Sequence, residues 1–453
     1  MTKIETVPSG SYSIKKNESY ILRAFLGSCV GVVLVDRKKG IAGLYHILLP
    51  EPPAKGAVQE PEKYASTGMS IFLEEILARG AKKENLEAYI AGGALVGQVS
   101  LTDLRLDIGG NSAEVASNFL AVEEIPVKKM EIGGYLSMQI SINTATFECQ
   151  IESVASLHPN LQKEEKPSVD YSLEEAIHKI KPIPQIALKV IRMINSQKVS
   201  METVAEQIRQ DQVLSAKVLQ LSNSAYFNTG KKIDSVDRAL IFLGEKRILL
   251  LTMSVFTELF YQQVQNGYSL SKGGLYRHAL GVAHVAEKIA FDLFGVQADI
   301  AYTAGLLHDI GKVVLDQFMA AEFPSFYKKL MEGSFRAFND IEKEVFGMDH
   351  NQTGEILATR WELPDSIREV IAFHHQPEKA TINPTLTHII FLADWLFHRF
   401  QSNYTLGMVS TEHLPERLNR LGINSADLLN IVDTIEWNKI ELLTIASGVN
   451  ERS

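Results

Sequence analysis

The spacing of apolar residues changes part way along the chain. Within residues 20–50, two runs rich in β-branched residues flank a polar turn at residues 36–40, a pattern typical of a β-hairpin. Residues 136–153 alternate between polar and apolar side chains, as paired strands do. Between these segments, a helical apolar stripe runs over residues 68–80 and stops at Gly80. The first third is therefore predicted to mix strands and helices.

Beyond residue 171 the apolar residues recur every three or four positions, which is the period of an amphipathic helix. Ser172 with Glu175 predicts a capping box, Ser200 and Ser235 predict helix N-caps, and Gly244 follows a helical run. The segment before this region is polar, holds two prolines and has no period, so it is predicted to be a linker. The predicted units are residues 1–153, a linker at 154–170, a helical domain at 171–400 and a helical extension at 401–453.

Composition restricts the classes of function. The chain has 453 residues, which is long for a single core, and 45% hydrophobic with 22% charged residues is typical of a globular protein. A formal charge of −9 argues against nucleic acid as the main partner, because a net negative surface repels phosphates. We find no apolar stretch long enough to span a bilayer and no signal-peptide core, so we expect a cytoplasmic protein without membrane insertion. Two cysteines cannot form a disulfide framework.

The predicted hairpin brings a thiol and an imidazole together. If Arg37 pairs with Gly40, Cys29 lies opposite Leu48, and His46 is one diagonal step away on the same face. A cysteine nucleophile needs such a base, because only the thiolate attacks. The alternative is that Cys29 is a small buried apolar residue in a domain that only binds a partner.

Ionisable residues interrupt the apolar runs of the helical half. His278 lies on an apolar stripe, His308 and Asp309 are adjacent within AGLLHDIGK, and Asp394 interrupts HIIFLADWLF. Buried carboxylates are costly unless they are paired or coordinated, and imidazole with carboxylate suits a divalent cation. We therefore expect these residues to converge on a metal site. The alternative is a hydrogen-bonded polar cluster that fixes the helix bundle.

The amino-terminal motifs resemble those of the chemoreceptor glutamine deamidase family CheD over residues 7–152. The motifs are LGSC (26–29), YHILLP (45–50), KYASTGM (63–69), AYIAGGA (88–94), DIGG (107–110) and EIGG (131–134). The resemblance implies hydrolysis of glutamine side-chain amides on chemotaxis receptors. Cys29 would be the nucleophile, His46 the base, and backbone N–H groups around Gly27 and Ser28 would stabilise the oxyanion.

Two departures separate the chain from that family. Arg23 stands where the family carries a catalytic threonine, and the arginines expected after the last two glycine pairs are absent. A guanidinium cannot replace a hydroxyl that orients an imidazole. The Arg23 guanidinium could still lower the pKa of the Cys29 thiol if the two groups were in contact.

The helical half carries a second resemblance. The order His278, His308-Asp309, Asp394 is similar to the metal-binding set of the HD phosphohydrolase superfamily. His350 and the pair His374-His375 resemble the additional ligands of its two-metal HD-GYP branch, and Lys312 matches the HDIGK motif as a catalytic residue, but no GYP tripeptide follows. Residues 183–227 resemble the HDOD module, an HD-related domain that is regarded as non-catalytic.

Together these resemblances imply a multidomain α+β protein, with a CheD-like α/β sandwich followed by an all-α HDOD/HD helical bundle. We expect a bacterial signal-transduction protein, related to chemotaxis, in which both domains act mainly by binding partners such as chemoreceptors. The alternatives are an active protein-glutamine deamidase using Cys29 and His46, or a metal-dependent HD phosphohydrolase. The implied cofactor is a divalent metal (Fe, Mn, Ni or Mg), and the sequence leaves the oligomeric state open.

Overall fold

A computed structural model gives the architecture. It describes residues 3–53, 60–94, 107–134, 137–153, 173–180, 187–191, 205–206, 208–209, 212–224, 232–262, 268–269, 273–295, 297–332, 337–401 and 409–440. The predicted linker at 154–170 and the predicted caps Ser172 and Ser200 lie outside these residues, as do parts of the HDOD-like segment 183–227 and of the extension after residue 440.

The amino-terminal domain contains two β-sheets and two long helices. The strands are β1 Lys3–Thr6, β2 Ser11–Lys16, β3 Tyr20–Leu26, β4 Val30–Asp36, β5 Ile41–Ile47, β6 Glu87–Gly92, β7 Val127–Ile132, β8 Met138–Asn143 and β9 Cys149–Ser153; the helices are α1 Ala65–Ala78 and α2 Ile108–Val122. One sheet has four strands in the order β1-β3-β8-β9, and the other has five in the order β2-β5-β4-β6-β7.

Strand β4 explains how these elements form layers. Its sequence, VGVVLVD, does not alternate, and all of its residues are buried. Val33 belongs to the core shared with the four-stranded sheet, whereas Val32 belongs to the core under α1 and α2. A strand covered on both faces requires such a continuous apolar run. The predicted α/β sandwich is therefore confirmed.

The predicted hairpin register is also confirmed. Strands β4 and β5 are antiparallel, with Val30 opposite Ile47 and Asp36 opposite Ile41. Continuing this register by one residue places Cys29 opposite Leu48, as the turn composition indicated. Cys29 and His46 therefore lie on the face of the five-stranded sheet that meets the other sheet.

The rest of the described chain is helical, as predicted. The helices are α3 Leu173–Lys179, α4 Gln212–Ser222, α5 Val236–Tyr261, α6 Gly274–Phe294, α7 Ala298–Leu307, α8 Ile310–Glu332, α9 Phe338–Phe346, α10 His350–Arg360, α11 Asp365–Phe373, α12 Pro384–Phe400, α13 Leu414–Arg420 and α14 Ser425–Thr434. Ser235 caps α5 by accepting a hydrogen bond from the Arg238 N–H. Gly244 does not end this helix but breaks it locally, with φ of 78°.

Helices α6, α7 and α12 pack unusually closely because glycines stand at their contacts. A Cβ on Gly305 would lie 2.6 Å from the Cα of Ala283, and one on Gly281 would lie 2.0 Å from the Phe397 ring. These glycines bring together the helices that carry His278, His308 and Asp394. Within the described residues, we find no helix that is both long and apolar enough to cross a membrane.

We predict that Gly305→Val destabilises the helical domain, because the new side chain would collide with the backbone of α6. Relieving this collision would require the two helices to move apart. Overpacking of this kind costs about 1–3 kcal/mol. The same side chain installed at the exposed residue Ala121 of α2 is the matched control. Thermal melting should show a lowered helical-domain transition for Gly305→Val and little change for Ala121→Val; equal melting curves would contradict this packing.

Candidate functional sites

The first candidate site is centred on Cys29, at the start of β4. Cys29 is fully buried, and His46 on β5 is 4% exposed. A hydroxyl lies between them: Ser9 Oγ is 3.9 Å from Cys29 Sγ and 3.3 Å from His46 Nε2. The thiol and the imidazole are thus linked through one serine hydroxyl, a route by which a base can take the proton of a nucleophile.

The backbone fixes the orientation of His46. Its Nδ1 lies 2.9 Å from the Val7 carbonyl oxygen, which can only accept a hydrogen bond. Nδ1 therefore carries the proton in the neutral ring, and Nε2 is left as an acceptor facing Ser9. Burial lowers the pKa of His46 to about 4, against a smaller opposing effect of the Val7 carbonyl. The imidazole is neutral at pH 7 and has the protonation state of a general base.

Arg23 does not prevent His46 from being oriented as a base, although it stands where the CheD family carries a threonine. The guanidinium binds the Thr6 hydroxyl, with Nε at 3.0 Å from Oγ1, and the Val7 carbonyl supplies the orienting acceptor in place of a threonine. Sequence reasoning missed both Val7 and Ser9. A backbone carbonyl has no residue-type signal, and Ser9 lies in a Pro-Ser-Gly segment that resembles an ordinary turn.

The second candidate site lies in the centre of the helical domain. His278 comes from α6, Asp309 and His308 from the junction of α7 and α8, and Asp394 from α12. His350 is the first residue of α10, while His374 and His375 directly follow α11. Potential ligand atoms lie within 4.8 Å of one another in three groups: His278, His308 and Asp394; His308, Asp309 and His374; and His350, His374 and His375.

The Asp309 carboxylate lies between two sets of imidazoles. Its Oδ2 is 3.5 Å from His278 Nε2 and 3.4 Å from His308 Nε2. Its Oδ1 is 3.5 Å from His350 Nε2 and 3.6 Å from His374 Nε2. Donor atoms bound to one cation at about 2.1 Å are roughly 3.0–3.5 Å apart. The spacing would suit two cation sites, one on each side of Asp309, held by these imidazoles together with the Asp309 carboxylate.

Several atoms that point into this cluster make no hydrogen bond of good geometry with the described residues, although His278 Nε2 and Asp394 Oδ1 are only 3.0 Å apart. They are His278 Nε2, His308 Nε2, Asp309 Oδ1, His350 Nε2, His374 Nε2, His375 Nε2 and Asp394 Oδ1. A single orphaned buried atom costs about 1–3 kcal/mol, and more when it is charged. Several unpaired ligand atoms directed at one region are typical of a coordination site. They argue against the alternative, a polar cluster whose members satisfy one another by hydrogen bonds.

Outer partners hold the imidazoles in place. Nδ1 of His308 lies 2.7 Å from the Gly305 carbonyl, and Nδ1 of His350 lies 2.5 Å from Glu342 Oε2. Such bonds fix the tautomer that leaves Nε2 as the ligand atom. The sequence reasoning did not identify Glu342.

His398 was also missed. Its Nε2 is 3.6 Å from Asp394 Oδ1, and its ring centroid is 4.4 Å from that of His278. A signal was present, because His398 follows Asp394 by four residues on an apolar helix and therefore shares its face.

Lys312 neutralises part of the charge at the cluster. Its Nζ is 2.7 Å from Asp309 Oδ2, and the side chain is buried. Burial alone would raise the pKa of Asp309, but in the metal-free chain the protonated His308 and Lys312 hold it well below its usual range. The lysine thus contacts the carboxylate directly, as the HDIGK spacing indicates.

A polar cavity of about 460 Å³ adjoins the His375 side of the cluster. Its lining includes Asn339, Lys343, Asp349, His375 and Arg417. The wall carries more acidic than basic side chains, and Lys343 and Arg417 are paired with Asp349 and Glu378. The cavity therefore gives polar access to the His375 side of the cluster without a positively charged wall.

We predict that His46 remains neutral down to about pH 4 in the folded chain. A base whose pKa falls on folding binds fewer protons in the folded chain than in the unfolded chain. Its contribution to stability is therefore complete above about pH 6.5 and is lost as the pH falls from there toward 4. The measurement is a pH titration by NMR of the imidazole resonance that His46→Gln removes; a midpoint near 6.5 would contradict the burial of this ring.

Comparisons with known families cover both halves. A family model described as "CheD chemotactic sensory transduction" matches residues 48–153, and a model described as "HDOD domain" matches residues 180–377. The CheD match begins after His46, so the roles of Cys29 and His46 depend on the geometry above.

Individual proteins agree with these matches. The "Probable chemoreceptor glutamine deamidase CheD" of Pyrococcus abyssi (strain GE5 / Orsay) is 36% identical over 154 residues, which are 34% of this chain and 94% of that protein. Its namesake from Oceanobacillus iheyensis is 38% identical over 148 residues, 32% of this chain and 89% of that protein. The crystal structure of an HDOD domain protein with unknown function from Geobacter sulfurreducens is 26% identical, with a TM-score of 0.51, and covers 63% of this chain and 100% of that chain. The chain therefore belongs to the CheD family through its amino-terminal third and carries an HDOD domain in its helical half.

Proposed function

We propose that this chain is a cytoplasmic chemotaxis signalling protein that deamidates glutamine side chains of its protein partners through Cys29 and His46. The observation that carries the proposal is the continuous chain of contacts from the Val7 carbonyl through His46 and Ser9 to the Cys29 thiol. It supplies a nucleophile, a base of fixed tautomer and a hydroxyl between them. Chemoreceptors are the partners that the names of the relatives indicate.

The chemistry requires only these groups and water. His46 Nε2 takes the thiol proton, through the Ser9 hydroxyl, and the Cys29 sulfur attacks the amide carbon of a glutamine. The protonated imidazole then gives its proton to the nitrogen that leaves as ammonia. Water, deprotonated by the same imidazole, cleaves the thioester. The products are a glutamate side chain and the free thiol.

We predict that the chain releases ammonia from receptor-derived glutamine peptides and that Cys29→Ala abolishes the release. His46→Gln should lower the rate by about 10²–10⁴-fold, the usual contribution of a general base. Cys149→Ala is the matched control and should retain full activity, because Cys149 lies in β9 on the other sheet. Ammonia production that persists in Cys29→Ala would contradict the proposal. If Cys29 reacts with an alkylating reagent but the chain releases no ammonia, the result would favour the alternative, in which the domain only binds partners.

A second proposed function is a centre for two divalent cations in the helical domain. The unpaired ligand atoms of the histidine-aspartate cluster favour it. His278, His308 and Asp394 would hold one cation, and His350, His374 and His375 the other, with Asp309 between them. Because Mg²⁺ prefers an all-oxygen environment, this imidazole-rich set favours Fe, Mn or Ni. Such ions, when bound, supply a hydroxide nucleophile for phosphoester hydrolysis. Lys312 would balance the charge of Asp309, and the adjoining polar cavity would give a substrate access from the His375 side.

We predict that the purified chain carries about two transition-metal ions, as a dinuclear centre requires. Asp309→Ala should lose most of the metal, because Asp309 faces both sets of imidazoles. His388→Ala is the matched control: His388 is a buried histidine of α12 whose Nδ1 pairs with the Pro384 carbonyl. Elemental analysis of the three proteins gives the metal content. Equal, sub-stoichiometric metal in all three would contradict the metal centre.

A further inference from the structure

The thiol of Cys29 is covered by the other domain of its own chain. Cys29 has no exposed surface, and its Sγ donates to the carbonyl oxygen of Phe400 at 3.9 Å. Phe400 is the last residue of α12, and 371 positions separate the two residues in the sequence. A partner's glutamine can reach the sulfur only when this contact opens, so ammonia release by the unmodified chain is limited to its open fraction.

The two residues beside Phe400 bind the other groups that the chemistry needs. The N–H of Ser28, a candidate oxyanion donor, donates to the Arg399 carbonyl at 3.0 Å. The side-chain amide of Gln401 donates from Nε2 to Ser9 Oγ at 3.3 Å, and Ser9 is the hydroxyl between Cys29 and His46. Residues 399–401 thus contact the nucleophile, the backbone donor and the bridging hydroxyl together. The residue that presents an amide to the site is itself a glutamine.

The carboxyl-terminal extension reinforces this cover. The Phe400 ring packs on Trp437 with centroids 5.2 Å apart. On the rim of the site, Lys63 Nζ donates to the Asp433 carbonyl at 3.1 Å, and the Tyr64 hydroxyl donates to the Asp433 carboxylate. The cover is therefore fixed at two places, one at the end of α12 and one at the end of α14.

From these contacts we propose that residues 399–401 are an internal pseudosubstrate that blocks the deamidase site, with Gln401 bound where a partner's glutamine amide enters. This inference rests on the proposed deamidase function, because only an active site has a substrate to exclude. The burial of Cys29 itself does not depend on catalysis. Displacement of the segment, by a partner or by a rearrangement of the helical half, would expose the thiol. The helical half, through the end of α12 and the extension that follows it, thereby controls access to the CheD site.

The test uses Gln401→Arg in the full-length chain. Gln401 is 7% exposed, and a buried guanidinium without a partner is costly enough to expel the end of the segment from the site. Gln150→Arg introduces the same charge at an exposed glutamine and is the matched control. All proteins carry Cys149→Ser, which leaves Cys29 as the only thiol of the chain. The readouts are the rate of Cys29 alkylation by iodoacetamide and the rate of ammonia release from glutamine peptides.

We expect alkylation of Cys29 to be slow in the parent and in Gln150→Arg, and at least about tenfold faster in Gln401→Arg, corresponding to about 1.4 kcal/mol. Ammonia release should rise in parallel. Alkylation that is as fast in the folded parent as in denaturant would overturn the block, and so would equal rates in the parent and a folded Gln401→Arg. If Gln401→Arg does not fold, Gln401→Ala takes its place. Its alkylation rate is then compared with that of the parent, and equal rates would overturn the block. Faster alkylation without ammonia release would refute deamidation and leave the block in place.

Discussion

The burial of two carboxylates among imidazoles is the constraint on which the helical half depends. Asp309 and Asp394 are at most 2% exposed, and uncompensated charges at that depth would cost several kcal/mol each. Their compensation requires α6, α8, α10 and α12 to deliver side chains to one region, and the glycines at the α6–α7 and α6–α12 contacts allow that approach. The unpartnered ligand atoms indicate that protein groups alone do not complete the compensation. In the proposed metal centre, cations would complete this compensation, and folding of the domain would then be linked to metal binding.

Helix α12 connects the two candidate sites. Asp394 and His398 belong to the histidine-aspartate cluster, and Arg399 and Phe400, which follow immediately, lie against Ser28 and Cys29. An α-helix rises only 1.5 Å per residue, so about 9 Å of one rigid element separates Asp394 from Phe400. A shift of α12 that accommodates a change at the cluster would also move the cover of the thiol. The arrangement gives a physical reason for joining an HDOD domain to a CheD domain in one chain.

Local pattern was sufficient for much of the fold and for most residues of both sites. The hairpin register followed from the polar turn, and it paired Cys29 with Leu48 correctly. His278 and Asp394 stood out because ionisable residues interrupted apolar helical stripes. Ser9, Val7 and Glu342 gave no such signal, because a turn serine, a backbone carbonyl and an ordinary helical glutamate acquire their roles only through tertiary contacts. The cover at residues 399–401 could not be predicted either, since periodicity describes single elements and not the docking of one domain on another.

We propose that the buried histidines and aspartates hold metal ions on either side of Asp309. Anomalous diffraction from crystals of the full-length chain, recorded at the absorption edges of Fe, Mn and Ni, can show such ions. We expect two anomalous peaks near the Asp309 carboxylate, one beside His278 and His308 and one beside His350 and His374. Well-ordered crystals with these side chains in place and no peak between them, even after soaking in each metal, would contradict it.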